Sequence, residues 1–330
     1  EPVAKATLRQ YKRHGEIISE IVIKLDDTDL HLGRVLASCL NKKICDAFRS
    51  HLIAEFSWAY ARKILTSFKS ALDQGRADEL MEHAPAENVF IRSSPHNKHA
   101  LLTATDKSPS LSEIKAILNK LRQRTNVADR RLRRRRRRYK LILETMVYGG
   151  TRPGEALGLP WSEVDFDKGG IRIVQDIEED GTIGRPKSAA SYRFIPMPDC
   201  YMRQLRHWRK LCPDSDLGLV FPNWSGNAEF LSNLNRRGWR PVLSEAGIVT
   251  DDGSPKYPPK SLRHARASLE IESGANPKEI QRLMGHSSIK VTYDVYGHLF
   301  EAHDGRRSTR ANTIAHTLTQ PNRSEHVTDL

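Results

Sequence analysis

The sequence has no apolar run approaching the roughly 20 residues that a membrane-spanning helix requires, and no leader of the secretory kind opens it. A membrane-embedded or exported protein is therefore not expected. Cysteine is scarce, with only Cys39, Cys45, Cys200 and Cys212 in 330 residues. Their spacing suits neither paired metal ligands nor a disulfide framework, which fits a reducing cytoplasm. Acidic residues are outnumbered, 40 Asp and Glu against 53 Lys and Arg, leaving a formal charge of +13. A pI near 9.6 points to a surface that binds phosphate, although charge alone is a weak signal. The chain opens at Glu1 without a methionine, so upstream residues are expected either to have been removed or to lie outside this sequence.

What is present divides into two parts. With 330 residues and 38% hydrophobic content the chain can bury real cores, and its length suggests two domains. Residues 93–110 are polar, marked by proline and without periodic apolar positions, as a linker is. Upstream, helices are expected at residues 7–18, 32–40, 42–54 and 57–74. The last is the best defined, with Ser57 as its cap, Gly75 as its end, and Ala61, Ile64, Leu65, Phe68 and Leu72 on one apolar face. Arg62, Lys63 and Lys69 lie on its other face, and Trp58 and Tyr60 read either as backbone contacts or as packing residues. Downstream, Ser110-Leu-Ser-Glu113 reads as a capping box opening a helix that runs through Leu121. The run Arg133 to Arg138 reads as a solvated face or a disordered interaction segment preceding an apolar helix from Tyr139 to Val147. Positive charge there opposes the helix dipole unless an anion is close, and a DNA phosphate meets that need.

Between residues 152 and 296 the chain spaces out Arg152, Lys187, Arg263, His286 and Tyr296. A phosphodiester under attack becomes a doubly anionic, five-coordinate species, and the forked N–H donors of arginine hold its oxygens in pairs. Donors aimed at developing charge contribute about 3 to 4 kcal/mol each. A phenol is a usable nucleophile, and its covalent intermediate conserves the energy of the broken bond. Lysine can protonate the departing alkoxide. Locally, Tyr148-Gly-Gly-Thr-Arg-Pro-Gly-Glu places Arg152 after a glycine turn at the start of a new helix, where phosphate is attracted, with Glu155 one turn on to brace a guanidinium. Residues 170–175 and 192–196 alternate as strands with Asp180-Gly181 as a turn between them, which puts Lys187 at the mouth of a small hairpin.

Gly-Thr-Arg-Pro-Gly-Glu, Leu-Arg-His-Ala-Arg-Ala-Ser, Met-Gly-His-Ser-Ser-Ile and Thr-Tyr-Asp-Val-Tyr-Gly-His-Leu are modest motifs singly and highly specific in this order. Together they resemble the tyrosine recombinase (phage integrase) family from about residue 111 to 300. The resemblance implies a mainly α fold with a small antiparallel β-sheet: a helical, SAM-like core-binding domain over residues 1–92, a linker over 93–110, an α+β catalytic domain of the DNA breaking-rejoining kind over 111–300, and a tail over 301–330. By the same resemblance Arg152 and Arg263 grip the scissile phosphate, Glu155 supports Arg152, and Lys187 is the general acid. His286 then hydrogen-bonds phosphate or nucleophile, and Tyr296 forms a 3′-phosphotyrosine. Tyr293 is the rival nucleophile and reads as an apolar neighbour on the same helix. Lys260 stands where the family usually has histidine; it is suited to a phosphate contact, and as a base it needs a lowered pKa. His264 does not fill that position and is expected to pack in its helix.

The resemblance further implies a site-specific recombinase of a phage or other mobile element, acting on double-stranded DNA at attachment or recombination sites. It implies a homotetramer on DNA, with accessory bending proteins as possible partners, in the cytoplasm and with the nucleoid. No metal or nucleotide cofactor is expected. Arg62, Lys63, Lys69, Arg133 and Arg134 are the candidate DNA contacts outside the site, and the 57–74 segment resembles the DNA-facing helix of the core-binding domain. A type IB topoisomerase and a catalytically silent DNA-binding regulator are the alternatives.

Overall fold

The computed structural model describes residues 5–26, 28–92, 108–186 and 188–302 of the chain. It divides into two compact units, Glu1–Ala100 and Leu101–Leu330. Both are mainly helical with small antiparallel sheets. Among the described residues no helix is long and apolar enough to cross a membrane.

In the first unit, helix α1 (Lys5–Glu20) leads into a hairpin of β1 (Val22–Leu25) and β2 (Thr28–His31), followed by α2 (Lys42–Glu55) and α3 (Trp58–Ala77). The alternation Val22-Ile-Lys-Leu suits a strand, and Asp26 turns it with a left-handed φ of 48°. This hairpin was not expected. Nor does a helix form over residues 32–40, where the chain makes two short 3-10 turns, Leu32–Arg34 and Ala37–Cys39. The packing explains the difference: a Cβ on Gly33 would lie 2.7 Å from the Cα of Ser19, so the backbone itself presses on α1 there, while Leu36 is left 70% exposed. Asn41 caps α2 by accepting from the N–H of Ile44.

Helix α3 buries the expected Ala61, Ile64, Leu65, Phe68 and Leu72. Phe68 meets Phe48 of α2 edge to face at 4.9 Å, the centre of a core that also holds Leu52 and Ile23. Burying such a side chain contributes about 1.5 to 3 kcal/mol. Ser57 makes no capping bond through its side chain, and Gly75 lies inside the helix, which continues to Ala77.

The second unit opens on α4 (Leu111–Arg124), capped as expected: Ser110 Oγ accepts from Glu113 N and Glu113 Oε2 from Ser110 N. Then α5 (Arg130–Gly149) runs through the core, ending at Gly150 in the left-handed conformation. After it come α6 (Pro153–Leu157), β3 (Val164–Asp165), β4 (Gly170–Ile173), β5 (Asp176–Ile177), β6 (Ile183–Gly184) and β7 (Arg193–Pro196). The three-stranded sheet has the order β3-β4-β7, with Ile171 opposite Ile195 and both buried. Strands β5 and β6 form a separate ladder across the turn at Gly181.

Next come α7 (Asp199–Arg209), α8 (Leu231–Asn233), a π-helical stretch (Leu234–Trp239) and α9 (Arg240–Glu245). The described residues close with α10 (Ser261–Glu272), α11 (Pro277–Met284) and α12 (Ile289–Ala302). The apolar core gathers α4, α5, the sheet, α7 and the π-helical stretch. A smaller cluster of Ala267, Ile271, Ile280, Met284 and Tyr296 joins the last three helices.

The arginine run does not precede α5; it forms the first turns of it. Nor is it a uniform solvated face. Arg138 is 1% exposed, pairing with Glu229 and donating to the carbonyl of Pro222. Arg133 donates to the carbonyls of Val127 and Ala128, Arg136 to that of Arg124, and Arg134 lies 5.0 Å from the centre of the Trp224 ring.

Candidate active site

Where α5 gives way to α6, Gly150 adopts a φ of 60°, a conformation that glycine enters without penalty. Two residues later Arg152 caps α6, with Pro153 at the first helical position. Glu155 folds back from the first turn, taking the Arg152 N–H on Oε2 at 2.9 Å and the Arg152 guanidinium on Oε1 at 2.6 Å. Gly154 lets this turn press on β5, since a Cβ there would meet the carbonyl of Ile177 at 2.6 Å.

A second guanidinium shares the same carboxylate. Arg193 of β7 donates from Nη1 to Oε1 at 3.2 Å and from Nη2 to Oε2 at 2.8 Å. Glu155 is 1% exposed; burial pushes its pKa up, and the opposing pull of Arg193, Arg263 and the Arg152 N–H wins, holding the carboxyl below its ordinary range.

Arg263, on the first turn of α10, is 3% exposed. Its Nη1 donates to the carbonyl of Gly150 at 2.7 Å and its Nη2 to that of Met284. Arg193 Nε donates to the neighbouring carbonyl of Leu283 at 2.8 Å. Both guanidiniums thus satisfy carbonyls in the last turn of α11, which have no partner within the helix and carry its negative pole. Burial first, and then Arg152, push Arg263 down to about 9 against the pull of Glu155, which leaves it cationic at neutral pH. Three guanidiniums around one carboxylate leave a positive surplus that an anion would neutralise.

His286 follows the left-handed Gly285 that ends α11. Its Nδ1 meets Thr292 Oγ1 at 3.0 Å, and its ring stacks on Tyr296 at 6.4 Å and 12°. Burial, then Arg263 and Arg152, lower it to about 4, so the imidazole is neutral at pH 7. Tyr296 projects from α12 into the small apolar cluster, 3% exposed. Burial pushes its phenol up to about 12, with Arg263 pulling the other way. Tyr293 is 52% exposed and tilts against Phe300, so it is an open surface residue rather than an apolar packing neighbour.

The structure therefore brings Arg152, Glu155, Arg263, His286 and Tyr296 together. Lys260 is exposed just before α10 and lines a groove of about 450 Å³ with Pro153, the residue next to Arg152. Lys187 lies outside the described residues; the next residue, Ser188, meets Ser191 at 3.1 Å, and Ser191 Oγ is 3.4 Å from Arg152 Nη1.

Two participants were missed in the sequence. Arg193 was read only as part of a strand, where an arginine at an alternating position ordinarily faces solvent, so nothing local marked it. His264 does more than pack in its helix: its Nδ1 lies 2.8 Å from Tyr296 Oη. Among the candidate DNA contacts, Arg62 and Lys63 are exposed on α3. Lys69 is committed elsewhere, donating to the carbonyls of Glu87 and Val89 and lying over the Phe90 ring, so it ties down the segment after α3. Tyr60 packs edge to face on His14 and Phe56. Arg133 is exposed with its donors turned to backbone carbonyls, and Arg134 is half-buried on Trp224.

Residues 110–303 match the phage integrase family. A tyrosine recombinase XerC-like protein of Caldanaerobacter subterraneus subsp. tengcongensis is 30% identical over 174 residues, 46% of this chain and 43% of that protein. The transposase from transposon Tn916 of Enterococcus faecalis is 29% identical over 165 residues, 45% of this chain and 39% of that protein. The matched stretch thus spans less than half the length of these curated relatives. In fold, the chain is similar to the Tn1549 transposon integrase solved with transposon right end DNA, with a TM-score of 0.69 at 18% identity, covering 96% of this chain and 95% of that one.

Proposed function

The chain belongs to the phage integrase family, and from that premise we propose that it is a site-specific DNA recombinase of a phage or other mobile element, cutting and rejoining strands through a 3′-phosphotyrosine. The observation that carries this reading is the positive surplus around Glu155 with a phenol beside it. Arg152 and Arg263 hold the non-bridging oxygens of the scissile phosphate. Tyr296 Oη attacks phosphorus as its proton passes to solvent, the bond to the 5′ oxygen breaks, and that oxygen leaves as a hydroxyl after taking a proton from Lys187. His286, with Nδ1 occupied by Thr292, turns an Nε2–H donor towards the phosphate. Lys260 meets the DNA backbone from the groove beside Pro153.

Rejoining reverses the step, with the 5′-hydroxyl of a partner strand attacking the phosphotyrosine. Four copies on two duplexes would allow one strand of each to be exchanged at a time. In this reading residues 1–92 bind the core site through Arg62 and Lys63, residues 93–110 link the two units, residues 301–330 form a tail, and accessory DNA-bending proteins assist in the cytoplasm.

Covalent trapping tests the proposal. The protein is incubated in EDTA with nicked suicide duplexes made from element–host junctions, and a denaturation-resistant protein–DNA band is sought. A band lost in Tyr296→Phe and kept in Tyr293→Phe is the expected result. No band from any protein, with DNA binding retained, would replace this reading with a silent DNA-binding regulator; adducts without exchange between two marked sites would replace it with a type IB topoisomerase.

A further inference from the structure

His264 follows the phosphate-gripping Arg263 directly and faces the Tyr296 hydroxyl, a contact that the roles assigned above do not use. We propose that His264 is a positioning residue for the nucleophile: its Nδ1 accepts the hydrogen bond of the Tyr296 hydroxyl and so fixes where the attacking oxygen points. This rests on the reading of Tyr296 as nucleophile.

The surroundings keep both partners of this bond neutral. Burial, then the charges of Lys260 and Arg263, lower His264 to about 4, so at neutral pH its ring carries one proton. Tyr296, pushed up to about 12, keeps its own. At 2.8 Å the two neutral groups share one hydrogen bond, and the proposed arrangement has the phenol donating and Nδ1 accepting, with the ring proton on Nε2. His286 does not fill this role: its ring lies parallel to the phenol ring with the centroids 6.4 Å apart, and its Nδ1 is taken by Thr292.

With the hydroxyl proton turned towards His264, the lone pairs of Oη are left for phosphorus. So weak a base holds the proton without removing it in the resting site. Lys260, just before α10, and Arg263, in its first turn, are the groups whose charges act on this pair, and His286, neutral at pH 7, is the titratable group that faces it from the turn before α12. The two imidazoles divide the work, His286 bounding the ring face and His264 orienting the hydroxyl at its end. A misdirected nucleophile costs roughly 10- to 100-fold in rate even where binding is intact.

The test is single-turnover adduct formation on the nicked duplex by the wild type, Tyr296→Phe, His264→Ala and His264→Asn, with duplex affinity and thermal stability measured alongside. His264→Ala is expected to bind DNA as the wild type does and to form adduct at least tenfold more slowly. His264→Asn, whose Oδ1 stands near the Nδ1 position, is expected to recover most of the rate. An unchanged or faster rate in His264→Ala overturns the inference alone, as does a loss that follows thermal stability and is not rescued by asparagine. A wild type forming no adduct that depends on Tyr296 overturns the inference together with the nucleophile reading.

Discussion

Arg152 and Arg193 are held by one carboxylate: Glu155 Oε1 receives both, at 2.6 and 3.2 Å, and its Oε2 receives Arg193 again at 2.8 Å. Glu155→Gln removes the charge that makes this crowding tolerable, and breaking a buried pair of this kind costs about 3 to 5 kcal/mol. Urea unfolding of the variant measures it, and adduct formation should fall with it. The pH dependence has a defined sign. A carboxyl held below its ordinary range contributes stability above that range and loses it as pH falls through the lowered value, so below about pH 4 the wild type loses stability faster than Glu155→Gln.

Within the arginine run, Arg138→Ala leaves Glu229 buried and unpaired, and a loss of about 3 to 5 kcal/mol is expected. Arg135→Ala, at an exposed position three residues earlier, should change stability by less than about 0.5 kcal/mol. Denaturant midpoints of the two variants separate a structural run from a merely charged one.

Gly150→Ala places a Cβ in the left-handed region, costing about 1 to 2 kcal/mol, and brings it within 2.6 Å of Met284 Cε. The Gly150 carbonyl anchors Arg263, so the variant should lose adduct formation beyond what its melting temperature accounts for. Equal loss of both measures would assign the effect to stability alone.

His264 and His286, both lowered to about 4 from 6.5, bind protons in the unfolded chain before they do in the folded one. Their contribution to stability is complete above about pH 6.5 and declines as pH falls towards 4. Unfolding free energies at pH 7, 5.5 and 4.5 should show this fall, and His264→Asn, which does not titrate, should make it shallower.

Local grammar was legible in this chain, and long-range partnership was not. Ser110 and Glu113 announce their capping box because both halves lie within one turn. Arg152, Glu155, Arg263, His286 and Tyr296 were readable as a set because each stands in its own short motif. The failures have specific causes. Gly33 presses on Ser19, a neighbour only in the fold, which breaks the helix expected there. Lys69 looks like a free cation on a polar face until the carbonyls of Glu87 and Val89 arrive beneath it. Nothing local distinguishes Arg138 from the five arginines before it, since its partner Glu229 is 91 residues away. Arg193 and His264 were hidden for the same reason, their partners lying on other elements.

The Arg263 guanidinium is moored to the peptide oxygens of Gly150 and Met284, groups that every residue type supplies. Mutation can exchange the side chains at those positions without deleting the moorings, provided the chain keeps its path there. Selection on this part of the site therefore acts on the course of the backbone more than on the letters that encode it. A lineage can drift far in spelling while the backbone keeps its course, as the shared fold at 18% identity illustrates.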